Sequence, residues 1–467
     1  LEAGYCGKAI AVFQHALEYE PRLARAWYGG GCAENERGNF AAAREWFARA
    51  VELVPEWLEA RHNLARALYE LGLVTDAFAE FQKCAEMNLP GSEQSRAMMA
   101  VIVPGVPHAT QAEILATRSE WALRDLGEHS EKQKRPRHYG PLRVGYVSSF
   151  FHRDNWMKPV WGLINRHNRK SIRVYLFSDS PASSAQHGYQ PNGEDQLIET
   201  SRLSNHELSR LVDESEIDVL VDLNGYSNMR RLPLFALPLA PVTLAWFNMY
   251  ATSGMKGFDF LIGDEHVVPF GEEQFYTEKI WRVPGSYLTF DVNYPVPPVT
   301  LKRQGPFLFG ALASQYKITD KVIAAWSRIL AQSPGSRLLV KNNHLESSAA
   351  REFLLLRFAS FGIAAHRLQL EGPEDHFEFL KAYERMDVAL DTFPYNGGTT
   401  TTEAIWQGVP VVTFYGDRWA SRTSASILRA GGLSEFVAAD VNDYVNLAVS
   451  LANNAATRDR LEHLRGE

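Results

Sequence analysis

Residues Asp391 to Trp406 read DTFPYNGGTTTTEAIW. The stretch opens where a short apolar run, Val388 to Asp391, ends. It turns through Pro394 and the pair Gly397 and Gly398, and regular structure resumes at four threonines, Thr399 to Thr402. A buried strand, a glycine loop and a helix start, in that order, form the building unit of a parallel α/β sheet. Amides at a helix start have no partner inside the helix, and the glycines let backbone come close to a bound group. With hydroxyls beside the amides, the turn is a ready anion site. Glu403 falls one turn into the helix, where a carboxylate accepts hydrogen bonds from sugar hydroxyls. The same letters also read as N-capping threonines followed by a dipole-favoured glutamate.

Working outward, the unit recurs. Phe307 to Ala311, Arg337 to Lys341, Leu368 to Leu370 and Val411 to Phe414 are apolar runs separated by helix-length segments. An earlier series comprises Arg143 to Ser148, Val174 to Phe177, Asp218 to Leu223, Val242 to Trp246 and Phe260 to Ile262. Between the series, Asp291 to Pro306 holds Pro295, Pro297, Pro298 and Pro306 and reads as a hinge. Two α/β domains in tandem are expected to take a ligand at the carboxyl ends of their strands.

The first ninety residues follow a different rule, a period of 34 residues, the spacing of tetratricopeptide helix pairs. Gly4, Gly38 and Gly72 fall in register, as do Ala9, Ala43 and Ala77, then Phe13, Phe47 and Phe81, then Ala16, Ala50 and Cys84. Small residues let paired helices approach, the aromatic fills the gap between copies, and Pro21 and Pro55 close their units. Cys84 is expected to be a packing residue. Further helical residues, roughly 92 to 128, lead to a polar basic linker, Glu131 to His138. The partial first copy implies repeats ahead of Leu1, and no terminator follows the charged helical pattern ending at Glu467, so a longer natural protein is expected.

Composition narrows the function. The 467 residues correspond to roughly three folding units. Lys and Arg number 48 against 55 Asp and Glu, a net charge of -7, which argues against a nucleic-acid surface. Three cysteines make neither a disulfide framework nor a four-thiolate zinc site, and their scarcity suits a reducing, cytoplasmic setting. The apolar stretch Leu232 to Phe247 is broken by prolines and falls short of a membrane span.

Single residues at strand ends are the candidates for chemistry. Lys317, in SQYK after the strand Phe307 to Ala311, is placed to meet a diphosphate from the side opposite the threonine helix. Lys341, at another strand end, is the weaker cation. His376, in EGPEDHFEFL, stands where a ring stacks on a base, or simply begins a helix. His152 and Asp154, in SSFFHRDNW, leave the strand Arg143 to Ser148 and are candidates for an acid, a base or a sugar contact. Asn224, Gly225 and Tyr226 end another strand, and Tyr250 to Gly254 (YATSG) suits a turn or a ligand wall. No metal-ligand spacing is evident, so metal-free chemistry is expected.

Taken together, the repeats, GYVSS, DLNGY, ATSGMKGFDFLIGDE, SQYK and the run from DHFEFL to DRWASR resemble the TPR-containing O-GlcNAc transferases, in a bacterial form without the large insert between the lobes. The resemblance spans essentially the whole chain. It implies an α/β protein with an all-α N-terminal region, in which tetratricopeptide repeats precede two Rossmann-like lobes of GT-B type. The boundaries expected are residues 1–90 for the repeats, 91–138 for a helical linker region, 139–295 for the acceptor-side lobe and 296–467 for the UDP-sugar lobe.

It also implies an inverting, metal-independent transfer of GlcNAc from UDP-GlcNAc to Ser or Thr hydroxyls of proteins, with no cofactor. Lys317 matches the family's diphosphate lysine, His376 its uracil histidine, and Thr399 and Thr400 its phosphate-binding threonines. Gly397, Gly398 and Tyr226 complete the donor set. Four positions depart from the pattern: Glu403 replaces an aspartate, Ser314 a glutamine and Phe379 an arginine, and the fourth is Asp154. Asp154 stands where the family usually has a histidine, with His152 displaced. Asp154, His152 and Lys317 are the expected catalytic residues. A protein or peptide acceptor is expected along the repeats and the interlobe cleft, with no nucleic acid and no membrane span. The competing readings are a cytoplasmic glucosyltransferase acting on asparagine and a catalytically silent peptide-binding scaffold.

Overall fold

Each 34-residue copy folds as two helices because its small and aromatic positions fall on one face of each helix. A computed structural model describes residues 3–127, 140–180, 188–292, 294–299 and 305–454. The repeats form α1 (Ala3–Tyr19), α2 (Ala24–Glu36), α3 (Phe40–Leu53), α4 (Leu58–Glu70) and α5 (Val74–Glu86), followed by α6 (Ser92–Ile102). Ala43, Phe47 and Ala50 are fully buried, as are their equivalents one period on, Ala77, Phe81 and Cys84. Gly38 and Gly72 end their helices in the left-handed region, at φ +71° and +79°. The Trp27 indole donates to the Pro21 carbonyl at 2.9 Å, and one period later the Arg61 guanidinium donates to the Pro55 carbonyl at 2.8 Å. The same loop is thus pinned twice by different chemistry. Cys84 is buried with its sulfur 3.9 Å from the Leu58 carbonyl, as a packing residue is.

The chain continues through α7 (Gln111–Trp121), β1 (Leu142–Ser148), α8 (Asp154–Asn165), β2 (Ile172–Ser178), β3 (Gln196–Glu199), α9 (Asn205–Glu214), β4 (Val219–Asp222), β5 (Val242–Ala245), β6 (Phe260–Gly263) and β7 (Lys279–Arg282). These strands make one parallel seven-stranded sheet, ordered β3-β2-β1-β4-β5-β6-β7. The linker expected at 131–138 lies outside the described residues.

The second series is β8 (Leu308–Ala311), α10 (Asp320–Gln332), β9 (Arg337–Lys341), α11 (Ser348–Ser360), β10 (Leu368–Glu371), α12 (His376–Lys381), β11 (Val388–Leu390), α13 (Thr399–Trp406), β12 (Val411–Phe414), α14 (Thr423–Ala430), β13 (Val437–Ala438) and α15 (Val441–Asn453). Its strands form a parallel six-stranded sheet ordered β10-β9-β8-β11-β12-β13. Every strand expected from an apolar run is present. The three that apolarity does not announce, β3, β7 and β13, are edge strands; an edge strand has a neighbour on one side only and needs less apolar surface. Trp281 on β7 is 54% exposed.

Two units emerge. One comprises Leu1–Ala109, Val296–Gly416 and Leu433–Glu467; the other comprises Thr110–Pro295 and Asp417–Gly432. The repeats therefore share a unit with the six-stranded sheet. The segment carrying α14 belongs with the seven-stranded one, where Ser426 donates to Asp264 at 2.6 Å and Arg422 pairs with Glu272 at 2.6 Å. Among the described residues, no helix is long and apolar enough to cross a membrane.

Candidate functional site

In the first unit, β8 continues into α10 and β9 on one side, and β11 lies on its other side. Strand order therefore reverses at β8, and a crevice opens where the loops after β8 and β11 part. A cavity of about 350 Å³ occupies it. Its walls come from the loop after β8 (Ala313, Ser314, Tyr316, Lys317), the loop after β9 (Asn342, Asn343, His344), the end of β11 with its loop (Asp391, Thr392, Gly397) and the start of α13 (Thr400, Thr401). Phe379 and Tyr383 close one side, and Tyr69 and Glu70 of α4 close another. The size and the mixed lining suit a small-molecule site.

The glycine and threonine loop is held from inside. The buried Asp391 carboxylate accepts from the amides of Thr392 and Gly397, each at 2.9 Å, and from the Thr413 hydroxyl at 2.7 Å. The Thr392 hydroxyl donates to the Tyr395 carbonyl at 2.7 Å, and the Asn396 side chain donates to the Thr392 carbonyl at 2.7 Å. Gly397 is required by crowding: a Cβ there would stand 2.6 and 2.7 Å from the hydroxyls of Thr400 and Thr401. Gly398 is the N-cap of α13 and offers no side-chain cap, so the amides at the helix start are left to other partners. The threonines divide their work. Thr402 returns its hydroxyl to the Gly398 carbonyl at 2.9 Å, whereas Thr400 and Thr401 line the cavity; Thr399 is the first helical residue.

Lys317 reaches the same loop. Its Nζ donates to the Asn396 carbonyl at 2.8 Å and stands 4.4 Å from the centre of the Tyr395 ring. Loss of water around the ammonium lowers its pKa to about 8, against a smaller upward pull from Asp391. Lys341 is a contrast. Its buried Nζ pairs with Glu374 at 2.8 Å and Glu371 at 3.4 Å, so its charge is spent in the protein. Glu371 is shared with the Arg385 guanidinium, which holds its carboxyl below the usual range.

His376 begins α12 as the helix-start reading expects, with Asp375 capping Glu378. Its Nε2 also lies 3.8 Å from the buried Glu403 carboxylate, and its ring stacks on Phe379 at 6.2 Å. The Tyr383 hydroxyl donates to the Thr400 carbonyl at 3.0 Å, tying the segment after α12 to α13. Lys317, Ser314, Gly397 and Thr400 thus line one cavity, with Gly398 and Thr399 at the head of α13 and Glu403 and His376 paired nearby.

The repeats hold the lysine loop. Tyr69 stacks on Tyr316 with ring centres 4.9 Å apart, and Arg357 donates to the carbonyls of both Leu71 and Ile318, at 2.9 and 3.0 Å. A Cβ on Gly72 would stand 2.5 Å from the Ile318 carbonyl oxygen and 2.9 Å from that of Gln315; one on Gly38 would meet nothing. Both glycines have positive φ, so alanine strains either turn by about 1 kcal/mol. Gly72→Ala adds a backbone collision and is expected to cost about 1–3 kcal/mol more than Gly38→Ala, measured by urea denaturation. Equal losses would contradict this account. Tyr69, Glu70, Asn342 and His344 escape sequence reading because no local motif marks a wall assembled from distant loops.

In the second unit, Tyr226 is buried and its hydroxyl donates to the Ser253 carbonyl at 2.6 Å, with the Arg118 guanidinium 3.7 Å from the ring centre. YATSG is used as a turn: Thr252 donates its hydroxyl to Glu278 at 2.9 Å, the Ser253 amide does so at 2.7 Å, and Gly254 packs against Arg118. Asn224 accepts from the Ser149 amide at 2.7 Å, joining the ends of β1 and β4. Burial raises the Asp222 carboxyl to about 7. His152 is exposed, and partial desolvation with Arg153 lowers its pKa. Asp154 is the first residue of α8; its side chain lies outside the described residues.

Comparison with known proteins gives this arrangement a lineage. The chain is 31% identical over 339 residues to the probable UDP-N-acetylglucosamine–peptide N-acetylglucosaminyltransferase SPINDLY of Oryza sativa subsp. japonica, covering 70% of this chain and 36% of that one. It is 27% identical over 335 residues to the Arabidopsis thaliana protein SEC, described by the same probable activity, covering 69% and 34%. It therefore spans about a third of the length of these curated relatives. Among solved structures, a mutant Thermobaculum terrenum O-GlcNAc transferase superimposes with a TM-score of 0.84 at 28% identity, covering 99% of this chain and 89% of that one. Residues 124–304 and 304–466 match glycosyl transferase family 41, and with that match over most of its length the chain belongs to this family.

Proposed function

We propose that the protein transfers GlcNAc from UDP-GlcNAc to serine or threonine hydroxyls of proteins, with inversion and without a metal ion. The observation that carries this reading is Lys317, a cavity-lining ammonium hydrogen-bonded to a carbonyl, in the same cavity as the threonines at the start of α13. A diphosphate there meets the Lys317 ammonium and the helix amides, which supply the counter-charge a leaving UDP needs. Glu403, beside His376, suits the ribose hydroxyls, and the His376 and Phe379 rings suit the base. Related proteins named for UDP-N-acetylglucosamine and peptide substrates support the donor and the acceptor class.

In the step itself, the acceptor oxygen forms a bond to the anomeric carbon while the bond from that carbon to the β-phosphate oxygen breaks. UDP departs with the electron pair, its growing charge held by Lys317 and the α13 amides. The hydroxyl proton passes to Asp154, directly or through water, with His152 as the alternative acceptor. Asp154→Asn is then expected to lower turnover by about 10²-fold or more with little change in UDP affinity. Equal loss of both, or of neither, would remove Asp154 from that role. The acceptor protein is proposed to engage the repeats.

The reading is tested by incubating the chain with a lysate and a panel of labelled UDP- and GDP-sugars, then mapping modified side chains by mass spectrometry. GlcNAc on serine or threonine is the expected result. Transfer from another nucleotide-sugar would overturn the donor assignment, transfer to asparagine the acceptor assignment, and UDP binding without any transfer the enzymatic reading.

A further inference from the structure

Glu70 is a cavity residue that the proposed reaction leaves unused. It is the last residue of α4, inside the tetratricopeptide repeats, yet it lines the cavity with Asn342, Asn343 and His344. Its Oε2 lies 3.2 Å from His344 Nε2, and Phe40 of α3 packs edge-on against the His344 ring at 5.1 Å. The imidazole is therefore oriented by the repeats from two sides, while the Glu70 side chain keeps 30% of its surface open.

A strut between the repeats and the sheet is already present without this pair. The Tyr69–Tyr316 stack, the seat of Gly72 and the two hydrogen bonds donated by Arg357 perform that task. Glu70 also has the wrong sign for a diphosphate, which a carboxylate repels. What it can receive is an N–H or O–H donor, as found on a nucleobase edge, a ribose or a sugar ring. A site that pairs such a donor with a partly desolvated acceptor discriminates against ligands lacking it.

We propose that Glu70, oriented by His344, is a specificity-determining contact of the nucleotide-sugar site that the tetratricopeptide repeat supplies, accepting a hydrogen bond from an N–H or O–H group of the donor. The proposal rests on reading the cavity as the donor site.

The test is calorimetric titration of the full chain, as wild type, Glu70→Ala and Glu70→Gln, with UDP and with UDP-GlcNAc, alongside thermal unfolding and steady-state kinetics. Glu70→Ala is expected to weaken UDP-GlcNAc about 10-fold and to raise KM with kcat within about 2-fold, the pattern of lost binding. Loss for both ligands places the contact on the nucleoside, and loss for UDP-GlcNAc alone places it on the sugar. Glu70→Gln, which keeps an acceptor oxygen, is expected to recover most of the affinity. Affinities within about 2-fold of wild type for Glu70→Ala, with or without a lower Tm, would show a structural strut and overturn the proposal. So would failure of Gln to restore binding. Wild-type protein that binds neither ligand would instead overturn the donor reading, and this proposal with it.

Discussion

Under the proposed function, replacing Lys317 with methionine is expected to lower the rate of sugar transfer by about 10²–10³-fold and to leave the protein folded, because the lost interaction would belong to the transition state. The ammonium donates to a backbone carbonyl and stands against the Tyr395 ring, so its charge is still on offer to a ligand. Methionine keeps the apolar stem against that ring and removes only the cation. Stability is expected to stay level or rise. The lysine pKa is lowered from 10.5 to about 8 in the folded chain, so at neutral pH the folded state carries a charge it disfavours. Between those values the unfolded chain binds more protons than the folded one, and the lysine's contribution to stability increases with pH through that window.

The same pKa sets an activity profile. For the free protein kcat/KM is expected to fall as pH passes about 8, when the ammonium is lost, and the methionine variant should lack that limb. A bound diphosphate stabilises the charged lysine, so the corresponding limb of kcat should lie at higher pH. Turnover within about 3-fold of wild type for Lys317→Met would show that the cation plays no part in departure of the nucleotide.

Asp391→Ala is the second large effect, and it acts on the scaffold. The carboxylate is buried and receives two amides and one hydroxyl, so alanine strands three donors in the interior. At about 1–3 kcal/mol for each unsatisfied group, partly relieved by relaxation, the expected loss is about 3–5 kcal/mol. One of those donors is the Gly397 amide at the entry to α13, so UDP affinity should fall with stability. Asp391→Asn should be milder, because one amide oxygen can still receive the two backbone amides and the Thr413 hydroxyl can turn to accept. Urea unfolding and UDP titration measure both quantities, and a loss below about 1 kcal/mol for Asp391→Ala would contradict the account.

The extent to which the site is legible in the sequence follows the range of the interactions. The threonine loop can be read locally because its parts lie within sixteen residues: strand end, glycines, helix start. Asp391 is visible there as a strand end, but its task depends on Thr413, a neighbour across the β11 and β12 pair. The hydroxyls of Thr252 and Tyr226 look available in the sequence, but Glu278 and the Ser253 carbonyl have engaged them. The wall formed by Glu70 and His344 leaves no local signature at all, since it exists only where the end of α4 meets the loop after β9.

The chain's letters alone determine the 34-residue helical repeat, the two series of buried parallel strands and the glycine-threonine turn, because periodicity, apolar runs and backbone freedom act between near neighbours. Tertiary structure decides which lysine remains available. Both stand at strand ends, Lys317 in the loop after β8 and Lys341 as the last residue of β9, and the sequence ranks Lys317 first without showing what either one meets. Folding brings Glu371 and Glu374 onto Lys341, while Lys317 meets a carbonyl and a ring. A buried ammonium already matched by two carboxylates has little left to offer a ligand, and whether it is matched depends on residues that only the folded chain brings within 4 Å.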